Sequence, residues 1–170
     1  MKYFNGFSLR DEEAIFSDII TPGDYTVVGF SHGAQKAFDY AYESKTRIER
    51  LILISPAFFQ TQKKSFIRAQ LRYFEAGKEA YVQQFLANVA SPSSFSLTPY
   101  VEVGSYDALE SLLTYVWDTD KIQSLLARGT IIEVFLGKED KIINSEDALS
   151  FFKQYCTTYS MKNVGHLIKG

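Results

Sequence analysis

One cysteine, two histidines, two methionines and four prolines are all that this 170-residue chain has of those residues, and each shortage excludes something. A lone cysteine, Cys156, closes no disulfide within the chain, and two histidines with one cysteine make no metal-ligand set at any usual spacing. No glycine-rich loop carries the lysine and the length of a phosphate-binding motif. No apolar run approaches the twenty or so residues of a membrane helix, and no charged-then-apolar leader is seen. The basic excess of a nucleic-acid-binding surface is missing too: 18 Lys+Arg stand against 20 Asp+Glu, a formal net charge of −2. These shortages predict a soluble, cytoplasmic protein with no nucleic-acid or membrane partner, no metal and no cofactor. Cys156 ends an apolar stretch with no histidine close in sequence, which predicts a buried structural thiol.

Apolar residues are plentiful: 46% of the chain is hydrophobic and 15% aromatic, enough for one substantial core and a single domain over residues 1–170. Strand and helix signals alternate. Lys2–Phe4, Tyr25–Val28, Arg50–Ser55, Thr130–Leu136 and Thr157–Met161 read as strands, and Leu51-Ile52-Leu53-Ile54 is the continuous apolar run of a parallel strand covered on both faces. Between them, helices are predicted over Asp11–Ile20, Ala34–Tyr42, Lys64–Phe74, Tyr106–Val116, a stretch from Asp118 or Thr119 through Leu126, and Ser145–Tyr155 with Ser145 as cap. The alternation predicts an α/β fold with a mostly parallel sheet of about five strands, whose site lies at the strands' C-terminal ends. Residues 56–116 contain no convincing strand and are expected to form a helical cap inserted within the domain.

The stretch Gly29-Phe30-Ser31-His32-Gly33 joins a strand to a helix through a sharp turn with serine at its apex. Glycines on both sides of that serine fit a backbone too crowded for a Cβ. A serine hydroxyl is a weak nucleophile near pH 7, so it needs a base to take its proton and a carboxylate to orient that base. His32 adjoins Ser31 and points along the helix start, which leaves His166 as the candidate base. Asp140 is the candidate orienting acid, with Asp118 or Asp120 as substitutes. All three candidates fall just after strands, in the chain order Ser, Asp, His. A developing oxyanion would take the backbone N–H of His32 and one from the early loop, for which Phe7 after Gly6 is the candidate.

The inserted segment carries a charge bias. Over residues 56–90, Lys63, Lys64, Arg68, Arg72 and Lys78 outnumber Glu75 and Glu79, and Lys64, Arg68 and Arg72 recur at helical spacing on one face. A basic outer stripe on an otherwise acidic body fits an acidic partner, though such faces are often simply solvated.

Taken together, GFSHGA at the turn, IEVFLGKEDKI around the acid and GHLI near the end resemble the short pimeloyl-acyl carrier protein methyl ester esterases of bacterial biotin synthesis, a compact α/β-hydrolase group. The resemblance runs essentially end to end and includes the FNGF opening. It implies a trimmed α/β-hydrolase that starts at the oxyanion strand, with a thinly covered sheet face or edge and an open oligomeric state. It also implies hydrolysis of the methyl ester on a pimeloyl chain carried by acyl carrier protein. Carried over, Ser31 is the nucleophile, His166 the base, Asp140 its orienter, and His32 and Phe7 the oxyanion donors. Lys64, Arg68 and Arg72 would contact the carrier, and Phe58, Phe59, Phe66, Tyr73, Phe74, Phe85 and Trp117 are candidates for the walls of an acyl channel. Two other readings keep the same residues: a general small carboxylesterase or thioesterase, and a catalytically inert binding module on the same fold.

Overall fold

The structure, a computed structural model, describes residues 1–170. Five parallel strands, β1 (Lys2–Phe4), β2 (Thr26–Phe30), β3 (Arg50–Ile54), β4 (Ile131–Gly137) and β5 (Thr157–Met161), lie side by side in sequence order. All five therefore end at one edge of the sheet, which is where the chemistry-bearing loops emerge. The middle of the sheet is its driest part: Val28, Phe30, Leu51 and Ile54 are fully buried and Ile52 and Leu53 nearly so. Each such side chain contributes about 1.5–3 kcal/mol by leaving water.

Alternation along the strands sorts the two faces. Gly29, paired with Leu53, faces the helix α1 (His32–Glu43), while Phe30, paired with Ile54, faces away and packs its ring 4.7 Å from Phe16. On the α1-distal face the cover runs out toward β4 and β5, where Ile131 and Tyr159 are 52% and 42% exposed.

Between β3 and β4 the chain inserts α2 (Lys64–Ala76), α3 (Lys78–Ala90), a 3₁₀ turn at Thr98–Tyr100, α4 (Tyr106–Thr114) and α5 (Thr119–Ala127); α6 (Ser145–Phe152) links β4 to β5. Gly77 separates α2 from α3. No helix is long and apolar enough to cross a membrane.

Two elements depart from the sequence reading. The helix expected over Asp11–Ile20 is a 3₁₀ turn at Glu12–Phe16, because Asp11 is left-handed at φ 55° and makes no side-chain cap, and because Glu12 turns inward instead of supporting a helix start. The cap of α6 is Asn144, not Ser145: Asn144 Oδ1 accepts the N–H groups of Glu146 and Asp147. Asp118 caps α5 in the same way, accepting from Asp120 and Lys121.

Candidate active site

Ser31 sits at the junction of β2 and α1 with φ 56° and ψ −117°, a backbone conformation that an L-residue adopts only under constraint. The constraint is close backbone approach on both sides. A Cβ at Gly29 would overlap the carbonyl of Gly33, and a Cβ at Gly33 would overlap the carbonyls of Phe4 and Asn5 at the end of β1. The glycine spacing is thus a packing requirement that joins β1, β2 and α1 into one turn.

His166 lies opposite that turn. Its Nε2 is 2.9 Å from Ser31 Oγ and its Nδ1 is 2.6 Å from Asp140 Oδ2. A carboxylate oxygen can only accept, so Nδ1 carries the proton and Nε2 is left to accept from the Ser31 hydroxyl. Both side chains of the His166–Asp140 pair are fully buried. Burying a carboxylate is costly unless its oxygens are satisfied; here Oδ1 accepts the N–H groups of Ile142 and Ile143 at 2.7 and 3.0 Å, leaving Oδ2 for His166. The histidine loop is tied to the sheet from behind, since Ser55 Oγ donates to the His166 carbonyl at 2.6 Å and the Phe30 ring lies 5.2 Å from the imidazole.

The two substitutes for the acid are placed elsewhere: Asp118 is occupied as the cap of α5 and Asp120 lies in the first turn of that helix. The amides of Phe7 and His32 donate to no other group of the protein, and both residues line one cavity behind the elbow, with Asn5, Gly6 and Lys36. The His32 side chain is buried there. Desolvation first, and the nearby Lys36 charge second, push its imidazole down to about 4, so it is neutral near pH 7. Cys156 is half-buried instead of buried, and burial raises its thiol to about 11, which leaves it unreactive near neutrality. No three His, Cys, Asp or Glu side chains converge as a metal-binding group.

A pocket of about 830 Å³ lies between α2, α3, α4 and the loop 140–144. It meets the relay at Asp140, while Ser31 is only 3% exposed. Of the seven aromatic wall candidates, Phe59, Phe66, Tyr73 and Phe85 line it. The other three are core residues: Phe58 packs on Phe151 and Phe152, Phe74 lies against Phe7 and Tyr81, and Trp117 packs on Phe38 and donates its indole N–H to the Ala57 carbonyl. The sequence reading missed four pocket amides from the insertion, Gln62, Gln70, Gln84 and Asn88. A signal for them existed, because Gln62, Phe66, Gln70 and Tyr73, and again Tyr81, Gln84, Phe85 and Asn88, recur at the three- and four-residue spacing of one helix face. Tyr81 Oη donates to Gln70 Oε1 at 2.9 Å and fastens α3 to α2. Asp140 and Lys141 are the only charged residues in the lining. Lys64, Arg68 and Arg72 are exposed on α2 and outside the pocket.

A serine turn after β2, an acid after β4 and a histidine after β5, on a parallel sheet in this order, form a recognisable frame. The chain has the α/β-hydrolase fold. No protein-family model matches the sequence, and no curated protein does. Among solved structures, BioG from Haemophilus influenzae is similar over 98% of this chain and 87% of its own, with a TM-score of 0.62 at 13% identity. Naproxen esterase (carboxylesterase NP) from Bacillus subtilis gives a TM-score of 0.56 at 15% identity over 84% of this chain, which spans only 53% of that protein. An alpha/beta hydrolase fold protein from Burkholderia ambifaria gives 0.53 at 17% identity, covering 84% of this chain and 60% of its own. The chain thus spans 53% and 60% of the two larger neighbours' length and 87% of BioG's.

Proposed function

We propose that the chain is a serine esterase that hydrolyses the methyl ester of a pimeloyl chain carried on acyl carrier protein, in biotin synthesis. The observation that carries the reading is the buried relay Ser31–His166–Asp140, at 2.9 and 2.6 Å, next to a large pocket almost without charge. His166 Nε2 takes the Ser31 proton as Oγ attacks the ester carbonyl. The Phe7 and His32 amides receive the oxyanion, and Asp140 holds the imidazolium in place. The collapsing intermediate expels methanol, which takes the proton from His166. Water, deprotonated by the same imidazole, then attacks the acyl-enzyme and releases the free carboxylate.

The pocket supports an esterified substrate: aromatic walls and neutral amides accommodate a chain ending in a methyl ester better than one ending in a carboxylate, which finds no unpaired cation there except Lys141. Residues 56–116 act as the cap over the site, and entry of the ester requires that cap to shift, given the low exposure of Ser31. The resemblance of GFSHGA, IEVFLGKEDKI and GHLI to the short pimeloyl-acyl carrier protein methyl ester esterases supplies the substrate, and the exposed Lys64, Arg68 and Arg72 suit an acidic carrier.

The test is turnover of pimeloyl-acyl carrier protein methyl ester by the wild type and by Ser31→Ala, with a short nitrophenyl ester beside it. Efficient cleavage of the carrier-bound ester, abolished in the variant, is the expected result. Cleavage of the short ester alone would keep the hydrolase and discard the carrier; turnover surviving in Ser31→Ala would discard the nucleophile.

A further inference from the structure

Glu12 is a fully buried carboxylate that the relay does not use. Its Oε1 accepts the Gly6 N–H at 2.7 Å and the Tyr3 hydroxyl at 3.1 Å, its Oε2 has no partner, and no Lys, Arg or His pairs with it. Burial also pushes its carboxyl above the ordinary carboxylate range. An uncompensated buried acid is costly, so what it holds is informative.

It holds the peptide plane just before the candidate oxyanion amide. The Gly6 carbonyl and the Phe7 N–H share a peptide plane and point in opposite directions. Leu9 N–H donates to that carbonyl at 3.2 Å, folded back by the left-handed Ser8 at φ 60°. Glu12 fixes the plane on the other side of Gly6. Without that bond only one of the two planes flanking Gly6 is anchored, and a glycine between them turns at little cost. The loop also bears directly on the nucleophile turn, because Gly33 packs against the carbonyls of Phe4 and Asn5.

We propose that Glu12 is a positioning residue for the oxyanion hole: by anchoring the Gly6 amide it fixes the loop that carries the Phe7 N–H beside the Ser31 turn. The inference rests on the serine-esterase reading and assigns that site a further residue. Glu12 touches no substrate; it acts through the loop.

The experiment uses the full chain with a short nitrophenyl ester and a trifluoromethyl ketone, whose hemiketal oxyanion with Ser31 occupies the hole. Loss of one oxyanion donor costs about 10²–10³ in kcat, and a loosened one should cost about 10–100-fold. Glu12→Ala is expected to lower kcat by about that factor, to leave KM within about twofold, and to weaken the ketone by a similar factor. Glu12→Gln keeps an acceptor for Gly6 and should recover most of the loss. A folded Glu12→Ala with wild-type kcat and ketone affinity would overturn the proposal, as would an equal loss in Glu12→Gln or a loss confined to KM. Should Glu12→Ala not fold, Glu12→Asp withdraws the acceptor by one methylene: a lowered kcat then supports the proposal, and a wild-type kcat overturns it. Turnover persisting in Ser31→Ala is a separate outcome that removes the esterase reading, and this inference with it.

Discussion

On the sheet side of the site, Ser31, Asp140 and His166 are placed by backbone: a glycine-packed turn, two amides clamping the Asp140 carboxylate, and a hydroxyl from Ser55 on the His166 carbonyl. On the insertion side, the pocket is shaped by side chains that project from α2, α3 and α4 and are fastened by single bonds such as Tyr81 to Gln70. A backbone-built site admits few sequences and tolerates little motion, whereas a wall of side chains can be rebuilt one residue at a time. On the proposed esterase reading, the reaction type belongs to the sheet and the choice of substrate to the insertion.

The largest effect should come from the sheet side. In Asp140→Asn, the amide oxygen can keep the Ile142 and Ile143 bonds now made by Oδ1, so the loop survives. The amide nitrogen then replaces Oδ2 and presents hydrogens to His166 Nδ1, which must become the acceptor and put its proton on Nε2, facing Ser31. The wrong tautomer cannot accept the serine proton. We expect kcat to fall by about 10⁴-fold with an unchanged urea midpoint, as in other relays of this type. Near-normal activity would show that the acid is not Asp140.

A smaller effect should come from the outside of the insertion. Single rim charges contribute about 0.2–1 kcal/mol, so reversing two, in Arg68→Glu/Arg72→Glu, should lower kcat/KM on a carrier-bound ester by about 10-fold at low salt and less at high salt. Turnover of a short free ester should not change. Equal effects on both esters would rule out carrier docking on this face and leave a general esterase.

That same contrast accounts for what could be read in advance. Gly29 and Gly33 have to be glycine, so the turn is visible in the sequence, and β3 is visible because a strand buried on both faces has to be apolar. Ser31, Asp140 and His166 meet because β2, β4 and β5 run parallel and end at the same edge of the sheet. The pocket was only partly legible, since Phe58 and Phe59 are adjacent, yet one belongs to the core and the other to the wall. Composition cannot separate them; the direction of each side chain does. Glu12 was hidden for a different reason. An acid in a short amphipathic stretch reads as solvated, and only the tertiary position of Gly6 turns it inward.

The smallest effect tests whether the sheet side is as closed as its packing implies. His32 is buried next to Ser31 with its imidazole held at about 4 against an ordinary 6.5, first by desolvation and then by Lys36. Its folded form therefore refuses a proton that the unfolded chain accepts. The stability it contributes is complete above about pH 6.5, where both forms are neutral, and is lost as pH falls toward 4. In His32→Gln the backbone N–H assigned to the oxyanion remains, but this source of acid sensitivity disappears. Urea unfolding at pH 7.5 and pH 4.5 should show the wild type losing more stability than the variant, by on the order of 1–3 kcal/mol. If both lose the same amount, His32 takes up its proton in the folded state, and the contrast between a closed sheet side and an adjustable insertion no longer holds at that point.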